Sequence, residues 1–125
     1  MRIVYIEAGR RPEARTIKKS LKELQKMVGG HIETIHPFND TAVIVCNEEG
    51  KIKGLPLNRG LIHPETEELY EIIAGNFFIC DAPPDSDDFE SLSDEQVEMY
   101  METFKYPEIF MKENDKIITI KCEDF

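Results

Sequence analysis

Thr41-Ala42-Val43-Ile44-Val45-Cys46-Asn47-Glu48-Glu49-Gly50-Lys51-Ile52-Lys53-Gly54-Leu55-Pro56-Leu57-Asn58-Arg59-Gly60 divides sharply at Cys46. Residues 41–46 are apolar almost throughout, too apolar for a strand with one wet face. They read as a strand placed centrally in a sheet. Asn47-Glu48-Glu49-Gly50 reads as a tight turn, with Gly50 at the position that favours a positive φ. Residues 51–55 then read as a short returning strand. The whole of 47–60 is dense in Gly, Pro, Asn and Arg, residues that set unusual backbone angles and present hydrogen bonds. A shaped surface loop is the expectation there.

Upstream, 31–36 reads as a strand and Pro37-Phe38-Asn39-Asp40 as a turn, so 31–36 and 41–46 should pair antiparallel. Residues 1–8 alternate as a first strand, and Gly9-Arg10-Arg11-Pro12 forms a turn. Over 13–28, Ile17, Leu21, Leu24 and Val28 recur at helical spacing, and Gly29-Gly30 supplies a left-handed stop. One amphipathic helix over 13–28 is therefore expected.

Downstream, residues 69–80 are rich in strand-favouring types, with Gly75 as a bulge or close approach. A short helix before Ile73 is the alternative, because Pro64 and the following acids resemble a helix start. Residues 81–92 read as an acidic surface loop. Ser93-Asp94-Glu95-Gln96 is a capping box, and Val97, Tyr100, Met101 and Phe104 follow at helical spacing. Residues 116–122 alternate as a last strand, whose expected neighbour is another long strand, the first being one candidate. The sum is an α+β fold in a single domain over 1–125: a mostly antiparallel sheet with two main helices.

Length and composition suit one soluble globular domain. No apolar run approaches the roughly 18 residues of a membrane span, and an acid at Glu7 breaks any leader pattern. A cytoplasmic protein is expected, with no membrane partner. The net charge of −10 is uneven: residues 1–30 carry eight Lys/Arg against three acids, while 81–102 carry nine acids and no base. Such a surface repels nucleic acid over most of its area but can attract anions at one face.

Catalytic and metal-binding patterns are sparse. No G-x-S-x-G, H-E-x-x-H, P-loop or dinucleotide-binding glycine fingerprint occurs. The three cysteines, Cys46, Cys80 and Cys122, form no C-x-x-C, and the three histidines lack metal spacing. Cys46 with His36 is the one nucleophile–base pair that adjacent strands could assemble. A thiol ending an apolar strand is more often buried and inert. No cofactor is called for, and a non-enzyme is expected.

Val28-Gly29-Gly30-His31-Ile32-Glu33, Cys46-Asn47-Glu48-Glu49-Gly50-Lys51, Leu55-Pro56-Leu57-Asn58-Arg59 and Ile73-Ala74-Gly75-Asn76-Phe77-Phe78 occur in that order. Together they resemble domain-of-unknown-function family 3846, found in bacteria, phages and mobile elements, from the first strand to about Phe104. The resemblance implies no catalytic residues. It implies a compact protein of phage-like genomes, where many small proteins bind and disable a host component.

Among the matching residues, Asn58, Arg59 and Asn76 are the leading candidates for ligand contact. Arg59 offers a planar fork for phosphate or carboxylate, and Asn58 a donor and an acceptor. Asn76 is an amide in an apolar stretch and needs a partner. Each also has a structural reading: Asn58 capping a turn, Arg59 paired with Glu48 or Glu49, Asn76 stitching two strands. Lys51 adds a cation to the loop, and Arg15, Lys18, Lys22 and Lys26 would align on the expected helix. A solvated outer face has the same pattern. The expected function is capture of a small anionic, nucleotide-like ligand, countering host defence, in a homo-oligomer. The alternative is an acidic module or DNA mimic that inhibits a host protein through Asp85, Asp87, Asp88 and Glu90.

Overall fold

The computed structural model describes residues 1–123. Its centre is a five-stranded antiparallel sheet in the order β2-β1-β7-β4-β3, formed by β1 (Arg2–Ile6), β2 (Glu13–Thr16), β3 (Ile32–Ile35), β4 (Ala42–Asn47) and β7 (Phe77–Asp81). β4 is buried along its whole length, as its unbroken apolar run requires. The other two strands of the middle, β5 (Leu57–Ile62) and β6 (Leu69–Ala74), form a hairpin of their own, and β8 (Glu108–Glu113) pairs with β9 (Lys116–Lys121) in another.

Alternation along the central strands divides the core in two. Ile3, Tyr5, Val43, Val45, Phe78 and Cys80 face α1 (Leu21–Val28), which contributes Leu24 and Val28. Val4, Ile6, Ile44, Phe77 and Ile79 face the opposite way, against Leu61 and Ile73 of the β5–β6 hairpin. The same layer receives Val97, Tyr100 and Phe104 from α2 (Asp94–Thr103) and its C-cap. The expected α+β single domain with two helices and mainly antiparallel pairing is what forms. The capping box is present in full: the Gln96 amide donates to Ser93 Oγ, and Gln96 Oε1 accepts from the Ser93 amide.

Several local expectations are corrected. The helix expected over 13–28 is confined to Leu21–Val28, while Glu13–Thr16 is a strand. β1 would otherwise leave one edge of its ladder unpaired. Pairing with β2 satisfies it, and reciprocal bonds between Met1 and Ile17 extend the pairing at 2.7 and 2.8 Å. Ser20 then caps the shortened helix by accepting from the Glu23 amide, and Gly29 ends it at φ +77°. The aligned stripe of Arg15, Lys18, Lys22 and Lys26 is therefore broken, with Arg15 on a strand and only Lys22 and Lys26 on the helix.

The strand expected over 51–55 is a series of turns, closed by Lys53 N to Glu49 O at 2.9 Å and Leu55 N to Gly50 O at 2.9 Å. Gly50 is not in the positive-φ region; it is needed because a Cβ there would lie 2.5 Å from the Ala74 carbonyl oxygen. The single strand expected over 69–80 is two strands in different sheets, reversed at Gly75 with φ +87°. Only glycine takes that angle without strain. Residues 57–60, expected as surface loop, belong to β5, with a register shift between Leu57 and Arg59. The last strand pairs with β8, not β1, across a two-residue turn in which Asn114 and Asp115 both have positive φ. Among the described residues, no helix is long and apolar enough to cross a membrane.

Candidate functional site

The register shift in β5 turns two consecutive polar side chains inward, as a bulge can. Asn58 and Arg59 are both fully buried. Asn58 Nδ2 donates to Ile6 O at 3.0 Å and to Gly75 O at 2.9 Å. Its Oδ1 accepts from Arg59 Nη1 at 2.9 Å. Arg59 Nη2 donates to Arg10 O at 2.6 Å and to Phe104 O at 3.0 Å, and Nε reaches Phe104 O at 3.3 Å. Arg59 is thus held by carbonyl and amide oxygens, and neither Glu48 nor Glu49 is its partner. Phe104 is the C-cap of α2, so the guanidinium also meets the negative end of the helix. Burial pulls its pKa down, opposed by the charge on Glu108. A guanidinium nevertheless stays protonated in a protein.

Asn76 completes the arrangement: its Oδ1 accepts from the Ala8 amide at 3.1 Å, and its side chain also bonds Tyr5. The three family-matched polar residues therefore converge, but on a backbone and not on an opening. Asn58 holds Ile6, Asn76 holds Ala8 and Arg59 holds Arg10. Alternate residues of one short stretch are fastened from behind, and that stretch is the β1–β2 connection. Gly9 turns it at φ +77° with no atom within 4 Å of where a Cβ would stand.

The outer side of this loop borders a cavity of about 640 Å³, lined by Tyr5, Glu7, Gly9, Arg10, Arg11 and Glu13 among others. That volume lies within the range of small-molecule sites. Arg10 and Arg11 line it, and Arg15 stands nearby against Tyr5, outside the lining. Arg10 is exposed and loosely paired with Glu7 at 3.6 Å. The Arg11 guanidinium lies over the Tyr106 ring at 5.4 Å. Arg15 lies over the Tyr5 ring at 4.4 Å, fixed by Glu13 at 2.6 Å and approached by Glu7 at 3.8 Å. Burial raises the Tyr5 pKa, and the charge on Glu7 raises it further. The phenol therefore remains a neutral donor at physiological pH.

Of the expected site residues, Asn58, Arg59 and Asn76 lie together behind this loop and Arg15 lies on β2 beside its mouth. Lys51 is elsewhere, bonded to Glu71, and Lys18 and Lys22 are exposed on the connection and on α1. Gly60 and Gly75 make room for Leu69 and Leu55 of the protein itself. Arg10, Arg11, Tyr5, Glu7 and Glu13 were missed as a group. The signal was an Arg-Arg pair after a glycine within residues 1–30, where Lys and Arg outnumber acids by eight to three.

The lining holds no histidine, cysteine or serine, and its two carboxylates both face guanidinium groups. Such a set can grip an anion by charge-assisted hydrogen bonds. Cys46 lies outside it: burial pushes its thiol up to about 12, and its partner across the strands is Glu33, not His36. Among the described residues, no three His, Cys, Asp or Glu side chains gather as a metal site.

No curated protein and no solved structure matches this chain. The model of the family described as Domain of unknown function (DUF3846) matches residues 1–105, which hold the central sheet, both helices and all of the polar brace, and leaves the β8–β9 hairpin outside; the chain belongs to that family.

Proposed function

We propose that this protein captures a small anionic ligand, of nucleotide type, at the β1–β2 loop, without transforming it. The observation that supports this most is the direction of the buried brace. Asn58, Arg59 and Asn76 fasten Ile6, Ala8 and Arg10, and so fix the backbone that carries Arg10 and Arg11. Burying a charged group is costly unless it is fully hydrogen-bonded, and here that cost produces one rigid surface loop. A loop set in advance lowers the ordering entropy lost on binding. Arg10 and Arg11, both in the lining, supply forks for phosphate oxygens. Glu7 and Glu13 hold the cations in place until a stronger anion displaces Glu7 from its loose contact with Arg10.

In this reading the protein works in the cytoplasm of a phage-infected host, withholding a signalling nucleotide from host defence. A second copy walls the open side of the cavity. Isothermal titration against inorganic phosphate and a panel of linear and cyclic nucleotides tests it. At least one nucleotide should bind, and Arg10→Ala with Arg11→Ala should weaken it by about tenfold or more, since each charge-assisted bond contributes about 1.5–3 kcal/mol. Both side chains are exposed, so the melting temperature should hardly change. Silence across the panel removes the proposal.

A further inference from the structure

An uncovered apolar area lies on the opposite core layer, between α2 and the β5–β6 hairpin. A groove of about 700 Å³ there is lined by Phe38, Leu61, Ile62, Tyr70, Met99 and Tyr100 among others. It shares no lining residue with the cavity at the β1–β2 loop. Its edges are unusually bare, with Ile62 44%, Tyr70 51% and Met99 47% exposed. The floor is fixed: Tyr100 donates to Asp40 at 2.6 Å and Gln96 to the same carboxylate at 3.2 Å.

The two walls share an electrostatic property. Both come from residues 60–104, which carry thirteen acids and not one Lys or Arg. On the helical wall, Glu95 and Glu102 are four residues before and three after Met99, so they neighbour it on the helix surface. Asp40 and Glu108 are the acids in the lining itself, and Glu65, Glu67 and Glu68 are exposed in the turn between Pro64 and Tyr70, the last two on a neighbouring cavity. The one base in the lining is Lys121, which lies opposite Glu108 in the β8–β9 ladder.

We infer that this groove docks a basic segment of another protein, anchored by apolar side chains between its lysines or arginines. An apolar floor flanked mainly by acids is the anatomy of a protein interface, with core burial giving affinity and the rim giving choice of partner. The sign of the rim selects the occupant. A second copy would bring the same acids and a net charge of −10 against this one, and nucleic acid or an anionic membrane would be repelled likewise. A basic amphipathic segment gains from both floor and rim.

Short synthetic peptides of alternating leucine and lysine, leucine and glutamate, or serine and lysine test this with the full chain. Binding is followed by fluorescence anisotropy and by the NMR signals of the Met99 methyl group and the Tyr70 ring. The leucine–lysine peptide should bind, shift both signals, and weaken by about tenfold or more as salt is raised towards the regime where the screening length falls below the rim spacing. The other two peptides should bind at least about tenfold more weakly, as loss of either a buried anchor or a complementary rim predicts. Met99→Ser with Tyr70→Ser, both at exposed positions, should remove binding while circular dichroism stays unchanged. Glu95→Gln with Glu102→Gln should flatten the salt dependence. Equal binding by serine–lysine would mean charge attraction alone, and equal binding by leucine–glutamate would mean apolar adhesion. Either would overturn the inference. So would unshifted Met99 and Tyr70 signals, or a dimer in sedimentation that Tyr70→Ser dissolves, which would make a second copy the occupant.

Discussion

Arg59 is the residue on which the β1–β2 loop most depends. Its guanidinium joins three segments: Arg10 in that loop, Phe104 at the end of α2 and Asn58 beside it in β5. Replacing it by methionine would keep most of the volume and leave the carbonyls of Arg10 and Phe104 without donors. Arg59→Met should therefore lower unfolding free energy by about 2–4 kcal/mol. Arg59→Lys should recover only part of this, because one ammonium cannot serve oxygens lying in three directions. Urea denaturation of both variants measures the effect, and unchanged midpoints would show that the brace contributes nothing. The identity of Asn58 and Arg59 as significant polar residues was legible in the sequence, but their direction was not. A one-residue register shift in β5 separates a fork that faces solvent from one that faces the core, and no local pattern specifies that shift.

At the scale of elements, Asp40 ties the β3–β4 turn to α2. Burial alone would raise its carboxyl pKa. Hydrogen bonds from Tyr100, the Ala42 amide and Gln96 outweigh that, and the net result is a value below the ordinary one. The sign follows from linkage: a depressed carboxyl stabilises the fold fully above its unfolded pKa, near about 4, and the contribution is lost as pH falls through the lower folded value. The carboxylate is substantially exposed, so the effect is screened and modest. Melting curves should show the wild type losing stability below about pH 4 more steeply than Asp40→Asn, which starts lower at neutral pH. Parallel curves would mean that Asp40 is not the titrating tether. Tyr100, raised by burial and then by Asp40, keeps its proton and stays a donor throughout. Local chemistry foretold α2, whose capping box and apolar spacing agree. The same kind of spacing misled over 13–28, where the unpaired edge of β1 outweighed helical periodicity.

For the whole molecule, charge is the dominant global quantity. A net charge of −10, with thirteen acids and no base across 60–104, sets a field that opposes compaction. The few ion pairs, such as Lys19 with Glu90 at 3.2 Å, are exposed and contribute little. Raising salt from low to physiological ionic strength should therefore increase the melting temperature, as screening relieves repulsion between acids more than it weakens these pairs. A fall in melting temperature would show that attraction and not repulsion governs the surface. The two proposed sites would then respond oppositely to their ligands' charge, with anions drawn to the loop before β2 and cations to the α2 groove.

The sequence by itself determined the class of the fold, its central buried strand, both glycine-terminated or capped helical ends and the polarity of the surface. Those depend on side-chain period and on residues with narrow backbone preferences, which act over a few neighbours. Tertiary structure alone decided that 13–16 is an edge strand, that 69–81 crosses between two sheets, and that Asn58, Arg59 and Asn76 point at one loop. Each of these required a partner distant in the chain to supply or accept a hydrogen bond. The need to satisfy every buried polar group, which operates only once the chain has closed on itself, chose among conformations that local preference left nearly equal.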